Sequence, residues 1–538
     1  MRKIDKEILR FAIKHIVTKG DTDIFPYPFE LHFIRDCEET VASVLAEVDL
    51  SKYQPQSLVE SLIPKTRYGF RVAHQHFPID TIVYTALVIR IFESVERERD
   101  APENKRAFSY RRDLTGSERL FLADRTYKDW LEFLQLQAFT NDFKYAIKTD
   151  ISDFYMRIYR HRLENILASL SNNRSDAKTI ESFIKFWRGG QSFGLPVGTD
   201  ASRLLAEASL HDTDMALVSE GYHFSRYVDD LYILIRHDQD PYTALAFLAK
   251  HLSENEGLSL NNQKTDVLKW SDFISSNDNQ DSTDEINKNE WATERLFLSA
   301  YGNEDLDEES LNLLMVRDLK KDLEEKLAEK YWDMGNIKVV LHAMRLVKDP
   351  NVSSYIIENI ENLIPFAKDI FLLIEHFVKN NIRGFEAISD KIVDLVLSEK
   401  MKPLDCGRAW FLELGVRGII NFSQQDIRRL EVLTGTLDIR QLHLLRWRLK
   451  DINYFRSKKA KISEIQIWAQ PSFIFAAGCL PHDEYNHWIR SLRSRLEFPL
   501  GKEFTDWCLS TYGTDPLKYR AADARGEPQN REAQPNAF

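Results

Sequence analysis

The segment FSRYVDDLYILIR, from Phe224 to Arg236, constrains this chain more than any other. Aromatic and β-branched residues stand on both sides of two adjacent aspartates, which is the composition of paired strands. The pattern predicts a β-hairpin with Asp229 and Asp230 at its turn. An isolated Asp-Asp is more often a solvated turn, but the apolar flanks argue against that here. Two neighbouring carboxylates repel each other and stay ionised best beside cations.

A third carboxylate comes from KYAIKTDISDFYMRIY, Lys144 to Tyr159. The strand YAIKT ends at Asp150, and an amphipathic turn or helix follows. An aspartate at the C-terminal end of a strand, facing a hairpin tip, is a sensible metal ligand. The backbone carbonyl of Ile151 is a further candidate. Such a cluster suits two-metal phosphoryl transfer, in which ions about 3.5–4 Å apart serve the attacking and leaving oxygens. Two Mg²⁺ ions are expected, with Mn²⁺ as the substitute. Asp153 reads instead as a helix N-terminal carboxylate favoured by the dipole, or a neighbour of the nucleotide site.

The chain of 538 residues is long enough for several domains. Residues 1–142 read as mostly helical, although GDTDIFPYPFE (Gly20 to Glu30) carries two prolines and cannot be one helix. Residues 143–270 alternate short strands with helical stretches, the pattern of an α/β core. Residues 271–300 are polar and turn-rich and are expected to form a linker. Residues 301–515 read as successive short amphipathic helices: Ile370, Leu373, Ile374, Phe377 and Val378, for example, share one face. That suggests an all-α, HEAT-like solenoid. Residues 516–538 have the composition of a disordered tail. The net charge of −11 argues against a broad non-specific nucleic-acid binder, but Lys105–Lys128 and Arg446–Lys461 are locally basic. The aromatics Trp447, Tyr454 and Phe455 in the second stretch fit base stacking or, slightly better, a helix core. The four cysteines form no CxxC pair, and the histidines show no ligand spacing. No segment has the ~20 apolar residues of a membrane span, and the charged start is not a secretion signal, so a cytoplasmic protein is expected.

The motifs then fall into a recognisable order. Asp150 followed by the aromatic Tyr155 resembles motif A of reverse transcriptases, and YVDD (Tyr227 to Asp230) resembles motif C. Between them GLPVGTDASRLLAE (Gly194 to Glu207) resembles motif B. After them LSLNNQKT (Leu258 to Thr265) resembles motif D. RYGFRVAHQHFPIDTIVYTAL (Arg67 to Leu87) and FSYRR (Phe108 to Arg112) are similar to the fingers motifs. The resemblance implies a palm and fingers followed by the helical-repeat domain. It implies that Asp150, Asp229 and Asp230 hold the metals and that Tyr155 is a steric gate against a 2′-hydroxyl. Pro196, Val197 and Gly198 would shape the loop under the incoming base. Lys264 would protonate the pyrophosphate leaving group. Lys65, Arg67, Arg71 and Arg111 are candidates for the triphosphate, since cationic donors suit phosphate oxygens.

Val197 stands where retroviral and retron-type enzymes usually carry glutamine. With Ser202, Arg203, Ala206 and Glu207 downstream and a helical second half, the chain looks more like the bacterial abortive-infection, defence-associated reverse transcriptases of the AbiK/AbiA-like group. That resemblance implies an antiphage DNA polymerase using dNTPs. One form is protein-primed and template-independent, leaving DNA covalently attached to the protein; Tyr27, Tyr53 and Tyr519 are candidate primers. The alternative copies an associated non-coding RNA into repetitive DNA. A second class of reading is an inactive scaffold acting through its helices. A homo-oligomer is expected under each.

Overall fold

The computed structural model describes residues 2–140, 143–277, 318–347, 349–385, 388–493, 495–496 and 498–517. Helix α1 (Lys6–Lys19) buries Leu9, Ala12, Ile13 and Ile16, one face at helical spacing. It ends at Gly20, whose φ of 86° is open to glycine. The proline-containing segment that follows is irregular, and the chain re-enters helix at α2 (Glu30–Asp36) and α3 (Glu38–Ala46). Strands β1 (Val59–Pro64) and β2 (Phe70–Gln75) form an antiparallel hairpin of their own. Helix α4 (Pro78–Glu98) starts with a proline, whose missing N–H costs nothing in the first turn. It is buried on nearly every side. Helix α5 (Tyr127–Thr140) leads towards the main sheet.

The middle of the chain holds that sheet. It comprises β3 (Tyr145–Asp150), β4 (His223–Tyr227), β5 (Asp230–Ile235) and β6 (Asp266–Lys269), in the order β4-β5-β3-β6. Every neighbouring pair is antiparallel. Between β3 and β4 run α6 (Phe154–Arg157), α7 (Arg160–Ser171), α8 (Arg174–Trp187), α9 (Asp200–Ser209) and α10 (His211–Ser219). Helix α4 is the post on which α1, α7, α8 and α9 pack. Helix α11 (Pro241–His251) joins β5 to β6, and α12 (Trp270–Asn277) follows β6 directly. The expected linker therefore begins as a helix; the remainder of it, and the expected tail from residue 518, lie outside the described residues.

All described elements after residue 318 are helical. They are α13 (Leu319–Ala328), α14 (Met334–Val347), α15 (Pro350–Asn359), α16 (Ala367–Lys379), α17 (Ser389–Val396) and α18 (Asp405–Val416), then α19 (Gln424–Leu430), α20 (Thr436–Arg448), α21 (Ile452–Lys458), α22 (Gln470–Ala476), α23 (His482–Leu492) and α24 (Gly501–Ser510). From α14 onward, alternate helices pack on one another: α14 on α16, α16 on α18, α18 on α20, α20 on α22 and α22 on α24. Phe455 is fully buried, Trp447 packs 5.0 Å from Phe475, and Arg446 covers the Tyr454 ring at 3.9 Å. The aromatics of the second basic stretch thus belong to the helical core.

This helical half shares one core with the N-terminal frame. Trp410 donates its indole N–H to the Ile24 carbonyl at 2.8 Å, and Trp468 donates to Ser57 at 2.7 Å. Trp507 donates to Asp36 Oδ2 at 2.9 Å, and the Cys406 amide donates to Ser61 Oγ at 2.9 Å. Phe29 lies 5.6 Å from Phe475, and Arg440 makes a buried ion pair with Glu30. The irregular segment after α1 and the β1–β2 hairpin are thus clamped by residues some four hundred positions later. Trp410→Ala removes a buried ring and one of these bonds, at a cost of about 3–5 kcal/mol. Calorimetry should show a single melting transition moved to lower temperature. Two transitions, only one of them moved, would contradict a shared core.

Candidate active site

Strand pairing brings the acidic residues together. In the β3–β5 register Asp150 lies opposite Asp230. The Ile151 N–H donates to the Asp229 carbonyl at 3.3 Å, extending the ladder one step beyond β3. The turn between β4 and β5 is made by Val228, at a φ of 56° that β-branched residues rarely adopt. The Tyr227 ring is fully buried and turned to Tyr110, Tyr127 and Trp130.

The electrostatics follow from this crowding. Burial, then repulsion from Asp230 and Asp150, holds the Asp229 carboxyl well above the usual carboxylate range. Burial and the Asp150 charge push Asp230 up to about 6, against the opposing charges of Lys264, Lys148 and Lys65. Asp150 Oδ2 meets Lys264 Nζ at 3.1 Å and accepts from Asn261 Nδ2 at 2.9 Å. The Asn261 amide also donates to the Asp150 carbonyl at 2.7 Å, so the loop after α11 closes directly over β3. Burial alone would lower the Lys264 pKa; the Asp150 and Asp230 carboxylates outweigh it and raise it. Three carboxylates facing one lysine in contact, among the described residues, leave an excess of hard oxygen ligands that suits divalent cations such as Mg²⁺.

Among the described residues, the ligand trio gathered within 4.8 Å is a different one, His161, Glu164 and Glu181, and Asp150, Asp229 and Asp230 stand wider apart than this. Arg160 already neutralises Glu181 in that trio.

The predicted nucleotide residues divide into two groups. Tyr155, on α6, is buried, and its carbonyl accepts the Leu195 N–H at 2.8 Å, tying the first motif to the Pro196 loop. Pro196, Val197 and Gly198 are all buried. Val197 is bonded twice to His74 of β2: its N–H donates to the ring Nδ1 at 3.0 Å, and its carbonyl accepts the His74 N–H at 2.9 Å. A buried site of this kind suits an apolar side chain better than an amide. Gly198 sits at a φ of 142°, and a Cβ there would lie 2.8 Å from the His74 carbonyl, so only glycine fits. Lys65, exposed at the β1–β2 tip, opposes the charge of Asp230. Arg71 interacts with the charges of Asp23 and Asp229, although burial draws its pKa down to about 10. Ile151 contributes its N–H to the ladder, and its side chain is buried.

Two predicted cations point elsewhere. Arg67 donates to the Glu329 carbonyl at 3.2 Å and lies over the Trp332 ring at 5.1 Å, so the helical half holds it. Arg111 is fully buried, bonded to Glu96 at 2.5 Å and to the Asp100 carbonyl at 2.7 Å. Its donors serve an interior ion network, which corrects the expectation that it cradles a triphosphate. Asp153 is exposed at the N-terminus of α6 in a left-handed conformation and makes no side-chain cap. Sequence reading missed Asn261, Ser109 and Arg226. The available signal for Arg226 was an arginine set just before Tyr227 and the aspartate pair in a strand-forming run, where burial demands a partner.

Residues 64–298 match the family described as reverse transcriptase (RNA-dependent DNA polymerase). The chain contains a reverse-transcriptase domain. The match spans the β1–β2 tip and all three strand-end aspartates. Reverse-transcriptase domains use divalent metals, and the donor set fits them. No curated protein matches the chain. Among solved structures, apo telomerase from Candida tropicalis is similar at 12% identity and a TM-score of 0.31, covering 66% of this chain and 70% of that one. Telomerase from Candida albicans, in complex with the TWJ fragment of telomeric RNA, is similar at 14% identity and a TM-score of 0.31, covering 70% of each chain.

The raised carboxyls of this reverse-transcriptase domain have a pH signature. The unfolded carboxyl titrates near about 3.9, and Asp230 in the fold near about 6. Between those values Asp230 of the folded, metal-free protein holds more of its proton than in the unfolded chain. Its contribution to stability therefore falls as pH rises through that window. Melting in chelator should drop from about pH 4 to about pH 6 in the wild type. The drop should be smaller in Asp230→Asn, which should also melt higher at neutral pH. Equal slopes in the two proteins would contradict the assignment.

Proposed function

We propose that this chain is a DNA polymerase of antiphage defence that adds dNTPs, protein-primed and without a template. The observation that carries the polymerase reading is the pairing of β3 with β5. It sets Asp150 against Asp230, with Lys264 on Asp150, inside a reverse-transcriptase domain. Asp150, Asp229 and Asp230 would hold two Mg²⁺ ions, with the Ile151 carbonyl a further candidate ligand. Bound there, the ions would supply the positive charge that favours a deprotonated primer hydroxyl and a departing pyrophosphate. Lys264, kept protonated by Asp150 and Asp230, is the proton donor to that leaving group. Tyr155 serves as the gate beside the sugar, favouring deoxynucleotides. Lys65 and Arg71 meet the phosphates, each being within electrostatic reach of an aspartate of the site. Gly198 and Val197, fixed by His74, form the floor beneath the base.

The defence role rests on the Val197 version of the loop and on the helical second half. Alternate-helix packing supports a HEAT-like stack there. Among the primer candidates, the Tyr27 hydroxyl donates to the Val17 carbonyl at 3.1 Å and Tyr53 is bonded to Asp80, so either must break a bond to react. Tyr519 lies outside the described residues. Among the described residues, no helix is long and apolar enough to cross a membrane. We place the protein in the cytoplasm as a homo-oligomer. Synthesis templated by a bound non-coding RNA is the second polymerase reading.

The test is incubation of purified protein with Mg²⁺ and each labelled dNTP, without template or primer. Products are run on denaturing gels with and without protease and RNase. Label that stays on the protein until protease treatment, and forms after RNase pretreatment, is expected; loss of synthesis on RNase pretreatment would move the reading to an RNA template. Asp229→Ala should bring synthesis to background, and retained synthesis would remove the site assignment. Tyr155→Ala should relax discrimination against ribonucleotides by about 10- to 200-fold, the range for a small steric difference.

A further inference from the structure

Behind the aspartate turn lies a buried ion network that none of the proposed chemistry uses. The Val228 N–H donates to Ser109 Oγ at 2.8 Å, and the Val228 carbonyl accepts from Arg226 Nη1 at 3.2 Å. Both polar groups of the strained residue are thus held from the interior. Ser109 Oγ in turn donates to Glu207 Oε1. Glu207 Oε2 accepts from Arg226 and from Arg99, each at 2.9 Å. Arg226 also forms a two-pronged pair with Asp214, both bonds at 2.7 Å. Arg99 and Arg111 both meet Glu96. Three carboxylates face three guanidiniums, so the network is neutral. Ser109, Glu207 and Val228 have no exposed surface at all.

The network is assembled from separate parts of the chain. Ser109 is delivered by the segment before it, which runs along the free edge of β4: Phe108 N–H donates to the Arg226 carbonyl at 2.9 Å, and Arg226 N–H to the Arg106 carbonyl at 2.7 Å. Glu207 comes from α9, Asp214 from α10, and Arg99 and Glu96 from the end of α4. A left-handed valine persists only where its surroundings over-determine it. Here a hydroxyl and a guanidinium do so, and Glu207 locks both. Asp229 is the next residue, so the turn sets where its carboxylate stands relative to Asp150.

We propose that Ser109 and Glu207 are positioning residues that set the divalent-cation affinity of Asp229, Ser109 by holding the Val228 N–H and Glu207 by fixing both Ser109 and the Arg226 that holds the Val228 carbonyl. This rests on the reading of Asp229 as a metal ligand. Partners behind a ligand commonly change metal affinity about 10- to 100-fold when removed.

The test measures Mn²⁺ binding to the full chain by electron paramagnetic resonance and calorimetry, without nucleotide. The proteins are wild type, Ser109→Ala, Glu207→Gln and Asp229→Ala, with melting followed in parallel. Asp229→Ala should remove the tight site. Ser109→Ala should weaken it about 10- to 100-fold while remaining folded. Glu207→Gln, isosteric but uncharged, should weaken it in the same direction. Wild-type Mn²⁺ affinity in folded Ser109→Ala, even with a lowered melting temperature, would reduce the network to a structural role and overturn the proposal. Absence of any Asp229-dependent Mn²⁺ binding in the wild type would overturn it together with the metal-ligand reading. Mn²⁺ binding that is Asp229-dependent and weakened in Ser109→Ala, without DNA synthesis by the wild type, would sustain the positioning role and bring down only the polymerase reading.

Discussion

The pairing of β3 with β5 forces like charges together, and much of the middle of the molecule is arranged to permit it. Asp150 opposite Asp230, with Asp229 beside them, is electrostatically unfavourable in the free protein. The strands tolerate it because apolar positions along them are fully buried: Ala146, Ile147, Ile233 and Ile235. Hydrophobic burial along the pair outweighs repulsion at one end. The left-handed Val228 turn that carries Asp229 is held by a neutral interior network.

The same logic explains the division of labour among the basic residues. A cation near the carboxylates relieves repulsion directly, as Lys264 does on Asp150. A cation buried elsewhere must carry its own counter-charge, and Arg99, Arg111 and Arg226 each do. The cation in contact with the strand-end carboxylates is thus an exposed lysine, whereas the architecture behind them rests on paired, buried arginines. That matches the stronger hydration and mobility of an ammonium and the planar, multiply bonded habit of a guanidinium.

What sequence could reveal follows from this separation. The hairpin and Asp150 were legible because alternating β-branched and aromatic residues specify strands, and acidic residues at their ends break the pattern. The buried Val197 loop was legible only as a motif; its double bond to His74 joins residues far apart in the chain, which no local pattern encodes. Arg67 and Arg111 looked equivalent to Lys65 and Arg71 as cations in one region. Only tertiary contacts separate them, Glu329 and Trp332 for one and Glu96 for the other. The helices of the second half were readable from periodicity, but their docking against Ile24, Ser57 and Asp36 was not, because it relies on single indole N–H groups reaching backbone and side-chain oxygens.

That docking also orders events during synthesis of the protein itself. Phe29, Phe33 and Asp36 leave the ribosome long before their partners Phe475, Phe504 and Trp507 are added. Contacts so distant in sequence form slowly and only after the intervening chain exists. That segment must therefore wait, with its aromatic face uncovered, for α22 and α24 to arrive. The cover over Phe29 and Phe33 forms only once α22 and α24 exist, and a chain cut short before α22 lacks it.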